Sequence, residues 1–130
     1  MIAAVATVAE GVVLVDLEDE TLLGAGDELP AQTAPSVELP RVVAAAASGS
    51  TVVAVLDRRP PLAVSHDGGS TWRESGRGLP AGFAVAVAES DPDLILFAAR
   101  NQLYLSRDGG TFWRRLEPEL PDIADVAFLD

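Results

Sequence analysis

The sequence predicts an all-β protein made of β-propeller-type blades, each a sheet of four short strands. One observation is that apolar and β-branched runs of about five to eight residues are separated by Gly, Pro, Asp and Ser, a pattern typical of strands. The other is a segment that recurs 41 residues later in a chain of 130 residues, and a period of this length is typical of repeat architectures. We expect about three four-stranded blades and one extra strand.

The repeat is clearest in the letters SHDGGSTW at residues 65–72, which return as SRDGGTFW at residues 106–113. A Leu-Pro pair follows each copy at the same 41-residue offset, at residues 79–80 and 120–121. A further Leu-Pro pair lies 40 residues earlier, at residues 39–40. These marks at one spacing indicate structural units of equal length.

Within a single domain spanning residues 1–130, the repeat divides the chain into four parts. Residues 1–41 form a degenerate acidic blade, residues 42–82 and 83–122 form blades that carry the recurring segment, and residues 123–130 form a closing or exchanged strand. Alanine-rich runs at residues 42–48 and 83–88 could pass for helix on propensity. Small side chains also suit crowded strands near a propeller axis, and the repeat favours strand.

The recurring segment has the residues that a tight turn needs. An Asp side chain can accept hydrogen bonds from backbone N–H groups just ahead of it, at Asp67 and Asp108. Gly69 and Gly110 can adopt positive φ without steric cost. Ser65, Ser106 and Thr71 can add hydroxyl hydrogen bonds, and we expect Trp72 and Trp113 to bury their rings against the neighbouring blade.

These segments resemble the Asp-box of the bacterial-neuraminidase repeat family, whose pattern is Ser-x-Asp-x-Gly-x-Thr-Trp. The first copy matches every defined position, and the second has Phe112 in place of Thr. The resemblance covers residues 42–130 well and residues 1–41 weakly. It implies a structural turn between the third and fourth strands of a blade, away from any active site. The family includes sialidases, sortilin-type receptor domains, xyloglucan-active hydrolases and photosystem assembly factors.

Composition excludes several classes of function. The net charge is −11 with no lysine, which argues against nucleic acid as a partner because phosphate binding needs clustered cations. The chain has no cysteine, so disulfides and thiolate zinc sites are absent, and we expect no metal and no cofactor. No run approaches the length of a membrane span. We therefore expect a cytoplasmic protein without membrane association.

A propeller normally binds ligands on the face opposite the Asp-box turns. The repeat assigns five candidate binding residues to that face, Arg58, Arg59, Arg77, Arg100 and Asn101, and places Glu18, Asp57 and Gln102 beside them. Arg59 and Arg100 are equivalent by the 41-residue offset, and two guanidinium groups at one funnel could bind a carboxylate, a phosphate or an acidic segment. The alternative is that they pair with nearby acids.

No catalytic set is evident in the sequence. A sialidase needs an arginine triad, a Tyr–Glu pair and a Phe-Arg-Ile-Pro segment, whereas the single tyrosine, Tyr104, lies in a predicted strand where we expect it to pack. Asp67 and Asp108 belong to separate turns, and His66 occupies a variable, outward position. We therefore favour a non-catalytic binding or assembly module that presents a propeller face to a protein partner. The alternative is a carbohydrate-active hydrolase, with a glycan ligand at a site formed across a dimer.

Closure of the propeller is the remaining question. Propellers close with about four to eight blades, so we expect a second copy to complete a six-bladed ring, with residues 123–129 entering the partner's first blade. Residues 1–40 hold eight of the 20 acids and no arginine. This asymmetry fits either ordinary solubilising charge or an acidic end that meets an arginine-bearing end across a subunit boundary.

Overall fold

The computed structural model describes residues 1–30 and 32–129, and in that part of the chain it is all-β, with twelve strands in three antiparallel sheets of four. The first sheet has the order β12-β1-β2-β3: β12 (Ile123–Leu129), β1 (Ile2–Thr7), β2 (Gly11–Asp16) and β3 (Thr21–Ala25). The second is β4 (Val42–Ser48), β5 (Thr51–Leu56), β6 (Leu62–Ser65) and β7 (Arg73–Ser75). The third is β8 (Gly82–Val87), β9 (Ile95–Ala99), β10 (Gln102–Ser106) and β11 (Arg114–Glu119).

These sheets confirm the predicted blades. The alanine-rich runs are strands, because β4 pairs with β5 along its length and β8 pairs with β9. They lie innermost, one at the start of each of the last two sheets. Their small side chains allow the third sheet to approach its neighbours closely, since β8 contacts both β4 and β12.

The first sheet takes its innermost strand from the other end of the chain. β12 pairs antiparallel with β1 of the same chain, from Ile2 opposite Leu129 to Thr7 opposite Ile123. The structure therefore has the closing strand of the two roles expected for residues 123–130, and the entry of this segment into a second copy is corrected. The first 25 residues consequently supply the second, third and fourth strands of their sheet. The two-copy ring itself stays a prediction.

The closed first sheet packs one face against the third sheet. Ala3, Val5 and Val15 are fully buried there, together with Val126 from β12. They meet Leu96 and other apolar side chains of the third sheet in one core. Alternation along β1 and β2 places these odd-numbered residues on the same face, and their burial removes apolar surface from water at about 25 cal/mol per Å².

The second core lies between the second and third sheets and centres on Phe97. Its ring packs edge-on to Trp113 at 6.2 Å and at a tilt to Tyr104 at 6.1 Å between centroids, which confirms that the single tyrosine packs. A Cβ at Gly82 would lie 2.1 Å from the Phe97 ring. Glycine at this position is therefore what allows β8 to run directly over the ring.

The long connection between the first and second sheets, residues 26–41, covers part of both. Gln32 donates from Nε2 to the carbonyl oxygen of Val126 on β12 at 3.2 Å. Farther along, Val37 and Leu39 pack on the outer face of the second sheet, around Leu56. The connection thus covers apolar surface on the side of the second sheet that the third sheet does not reach.

The acidic and arginine-bearing parts of the sequence meet within one chain. Glu20 accepts hydrogen bonds from Arg114 Nε at 2.7 Å and from the backbone N–H of Glu117 at 2.9 Å. These two donors, Arg114 first, lower the pKa of the Glu20 carboxyl. Glu18 lies 3.9 Å from Arg107. The charge asymmetry therefore joins the first sheet to the third, and the expectation of a subunit boundary for it is corrected.

Shortening Ile123 tests the closing strand. Ile123 is buried in the core between the first and third sheets, so Ile123→Ala should lower the free energy of unfolding by about 2–5 kcal/mol. Because β12 closes its own sheet, the unfolding midpoint in urea should be independent of protein concentration. Ala124→Ser, on an exposed position of the same strand, is the control. A midpoint that rises with concentration would indicate an exchanged strand instead.

Candidate functional site

The two ends of the blades carry different kinds of connection. At one end, called here the box end, lie the turns β2–β3, β6–β7 and β10–β11, of which the last two are the recurring segments. At the opposite end, called here the loop end, lie the turns β1–β2, β5–β6 and β9–β10 and the connections that lead from one sheet into the next. Every candidate residue can be assigned to one of these ends.

The first box turn is held by Ser65 and Asp67, as its residues predict. Ser65 Oγ donates to Asp67 Oδ1 at 2.7 Å and accepts from the N–H of Gly69 at 2.8 Å. Asp67 also accepts from the N–H of Thr71 at 2.9 Å and from its hydroxyl at 2.6 Å. These donors, the Thr71 hydroxyl first, hold the pKa of the Asp67 carboxyl far below its ordinary value.

The second box repeats this arrangement with one hydrogen bond fewer. Ser106 Oγ donates to Asp108 Oδ1 at 2.8 Å, and the N–H of Phe112 donates to the same oxygen at 3.0 Å. Phe112 has no hydroxyl for the second carboxylate oxygen, and its ring is 76% exposed. The backbone N–H of Phe112 is the main cause of the lowered pKa of Asp108. Both carboxylates are therefore occupied as turn acceptors in separate sheets.

The box residues also join neighbouring sheets. Trp113 Nε1 donates at 3.0 Å to the hydroxyl of Ser75 on the outer strand of the second sheet, and that hydroxyl donates to the carbonyl oxygen of Gly110 at 2.5 Å. Gly110 has φ of 94°, a conformation that glycine adopts without steric cost. Trp113 therefore packs against the neighbouring blade as expected. Trp72 instead packs in the cluster with Val37 and Leu39 of the connection.

In the first sheet the turn at the box end has its own acceptor. Asp16 Oδ1 accepts from the N–H groups of Glu18 at 2.9 Å and Asp19 at 3.1 Å, and these bonds, Asp19 first, lower the pKa of Asp16. Glu18 therefore lies at the box end, and its predicted place on the ligand face is corrected. The physical reason is that β12 is the inner strand, which shifts each later strand of this sheet by one position.

The predicted binding arginines separate into two groups. Arg58 is paired with Glu74 at 2.7 Å and Arg100 with Asp122 at 3.1 Å, both at the loop end. Asn101 contributes its backbone carbonyl oxygen, which accepts from the N–H of Leu120 at 3.0 Å. Gln102 is buried, with Nε2 donating to the carbonyl oxygen of Leu116 at 2.7 Å. Its predicted place on the ligand face is therefore corrected.

Arg59 and Arg77 are the candidate residues that the structure brings together. They line a small cavity of about 200 Å³ at the loop end of the second sheet, with Pro60, Pro61 and Leu79. Arg100 is not part of its wall. The guanidinium pair expected from the repeat, Arg59 with Arg100, is therefore replaced by Arg59 with Arg77 from the same blade.

Three exposed apolar side chains at the loop end are features that the sequence pattern did not reveal. Val8 is 73% exposed in the β1–β2 turn, and Val43 and Phe83, at the starts of β4 and β8, are 49% and 51% exposed. Val43 and Phe83 each lie at a shift in strand register, between Val42 and Ala44 and between Gly82 and Ala84. A bulge takes a residue out of the alternation of faces. The equal position of both in the repeat is the sequence signal that could have revealed them.

A larger cleft lies where the inner strands approach one another. Its volume is about 470 Å³, and β4, β8, β12 and residues 30 and 32–34 line it. Its wall is mostly small and apolar, with the carboxylates of Glu89 and Asp125 as its charged groups. This axial cleft is a second candidate site. It is built from three sheets, whereas the arginine cavity belongs to one.

Some site types are absent from the described ranges. Within residues 1–30 and 32–129 no group of three or more His, Asp and Glu side chains could hold a metal ion. His66 Nδ1 lies 3.3 Å from the hydroxyl of Thr51, within its own sheet. The same ranges contain no helix that is long and apolar enough to cross a membrane.

Three four-stranded antiparallel sheets with inner, equivalent strands define a protein of the β-propeller type. The sequence matches no family model and no curated protein. Among solved structures, the fold is similar to that of the GH74 enzyme from Niastella koreensis, with a TM-score of 0.54 and 21% sequence identity. The similarity covers 95% of this chain and 18% of that enzyme. It therefore supports the fold and leaves the function to the site.

The boxes predict how stability depends on pH. The pKa of Asp67 is lowered in the folded state, so the unfolded chain binds the proton more readily below the ordinary carboxyl value of 3.8. The free energy of unfolding should therefore fall as the pH drops below about 4. Asp67→Asn should remove part of this dependence, and Asp108→Asn a smaller part, in urea unfolding at about pH 7 and about pH 3.

The variant Phe112→Thr provides a matched gain. A threonine hydroxyl at this position can donate to Asp108 as Thr71 does to Asp67, so the loss of stability in acid should become larger than in the wild type. If Asp67→Asn kept the full dependence of the wild type, the box carboxylates would not be its source.

Proposed function

We propose that this chain is a non-catalytic binding module with Asp-box blades that presents its loop end to a protein partner. The observation that supports the proposal is the cluster of Val8, Val43 and Phe83, three of the six large apolar side chains that are exposed. The others are Leu22 and Leu23 on the outer strand β3 and Phe112 in a box. Exposed apolar residues beside arginine and polar groups are typical of protein interfaces.

The position of Val43 and Phe83 strengthens this proposal. Both lie at bulges, so their side chains leave the buried face of the sheet at no cost to the core around Phe97. Bulges are often found beside functional sites because they redirect a side chain. Arg59 and Arg77 lie at the same end, and arginine is enriched in interfaces. The box end, in contrast, uses its carboxylates and hydroxyls in hydrogen bonds that form the turns.

Site-specific photo-crosslinking tests the binding face. A photoreactive amino acid in place of Ala81, an exposed loop-end residue, should give one discrete adduct in the cells from which the chain comes. The same group in place of Ser70, exposed at the box end, should give none. Phe83→Ser should abolish the adduct from position 81 and leave the unfolding midpoint within about 0.5 kcal/mol of the wild type. An adduct that forms equally at both ends would contradict the proposed face.

The second candidate is a glycoside hydrolase, with its site formed across two copies of the chain. Its motives are the fold similarity to a GH74 enzyme and the two carboxylates of the axial cleft, Glu89 and Asp125. Glycoside hydrolysis uses a pair of carboxylates, one of them as an acid.

Assays on xyloglucan, a fluorogenic β-glucoside and a fluorogenic sialoside separate the two candidates. For a binding module we expect no sugar release above the rate without protein. Turnover that Asp125→Asn or Glu89→Gln abolishes, and that Asp122→Asn leaves intact, would overturn the non-catalytic proposal. Asp122 is the control because it is a loop-end carboxylate outside the cleft, paired with Arg100.

A further inference from the structure

The two repeats differ in how they treat the charge of equivalent arginines. Arg100 in the third sheet is neutralised by Asp122 at 3.1 Å. The residue 41 positions before Asp122 is Ala81, so the equivalent arginine, Arg59, has lost this partner. Among the described residues, neither Arg59 nor Arg77 has a carboxylate within 4.0 Å. Arg59 Nη1 makes one long contact, 3.5 Å, to the carbonyl oxygen of Leu79.

The loop end of the second sheet is locally cationic in a chain of net charge −11. Arg41 lies beside the β5–β6 turn, since its carbonyl oxygen accepts from the N–H of Asp57 at 2.9 Å. Arg58 is there as well, with its charge paired to Glu74. Together with Arg59 and Arg77 these are four of the nine arginines. Such a patch attracts an anion that the rest of the surface repels.

The cavity between the two unpaired arginines also has an apolar part. Pro60, Pro61 and Leu79 form its remaining wall around about 200 Å³. This volume is enough for one small side chain rather than for a sugar chain or a nucleotide, which need about 300 Å³ or more. The site therefore suits a carboxylate that carries a small apolar group next to it.

We propose that this cavity binds the C-terminal residue of a protein partner, with the carboxylate between Arg59 and Arg77 and an apolar last side chain against the two prolines and Leu79. A C-terminal residue has both groups on one Cα, whereas an internal Asp or Glu carries its carboxylate on the side chain itself. Guanidinium groups bind carboxylates through charge-assisted hydrogen bonds. The inference rests on the proposed function and names the chemistry of the partner at that face.

The test uses the full chain and two synthetic peptides, acetyl-Ser-Gly-Ser-Leu with a free C-terminus and the same peptide as its C-terminal amide. Binding is followed by the ¹H–¹⁵N NMR signals of Gly78 and Leu79. The free acid should shift these signals with a dissociation constant of about 1 mM or below, and the amide should bind at least about tenfold more weakly.

Variants assign the effect to the two arginines. Arg59→Gln and Arg77→Gln should each weaken binding of the free acid by about tenfold, and Arg100→Gln by less than about twofold, because Arg100 is paired elsewhere. Dispersed spectra of each variant show that it is folded. Equal binding of acid and amide, equal effects of Arg59→Gln and Arg100→Gln, or no shifts at about 10 mM peptide would overturn the inference.

One further arm fixes the source of the carboxylate. Acetyl-leucine carries the same carboxylate and side chain without a peptide, and it should bind at least about threefold more weakly than the tetrapeptide, because it lacks the preceding backbone. If acetyl-leucine bound as tightly, the site would serve a small acid and the inference would be wrong. An adduct at position 81 that persists in Arg59→Gln would leave the binding face valid without this site.

Discussion

The antiparallel pairing of β12 with β1 is the contact on which the rest of the fold depends. Before it forms, residues 1–25 offer three strands whose apolar face has no inner strand and no neighbouring sheet. Pairing of Ile2 with Leu129 through Thr7 with Ile123 completes this sheet and brings Val126 into the core shared with the third sheet. Closure by residues far apart in sequence costs conformational entropy, and burial of this shared core compensates for it.

A second constraint is the way in which sheets recognise one another. Between the second and third sheets, apolar packing around Phe97 is combined with one buried polar contact, the Ser75 hydroxyl between Trp113 and Gly110. A buried hydroxyl that both donates and accepts fixes the relative position of two sheets, because apolar contact alone tolerates sliding. The first and third sheets use ion pairs at the surface for the same purpose, with Glu20 and Arg114 in contact.

The sequence predicted local geometry well and long-range placement less well. The two box turns follow from residues within eight positions of one another, so their Asp, Ser and Gly residues determine the turn directly. The inner strand of the first sheet could not be assigned in the same way, because its partner lies more than 100 residues away. Glu18 was therefore predicted at the wrong end.

Among the predicted binding residues, Arg59 and Arg77 could be found by position in the repeat, whereas the pairing of Arg100 depends on Asp122, 22 residues later. Val43 and Phe83 were missed because each was read as an ordinary member of an alternating strand. A register shift is visible only when both strands of the pair are known. Sequence thus indicated which end of the blades to examine, and the contacts decided which residues there are available.

The bulges at Val43 and Phe83 have an evolutionary consequence. A residue that the pleat places inside the sheet is constrained by every neighbour it touches, so its replacement is selected against through stability. A bulged residue on an inner strand escapes that selection while it stays fixed to a rigid support. The identity of the side chain can then drift or adapt to a new partner from one homologue to another, and the blade beneath it stays the same.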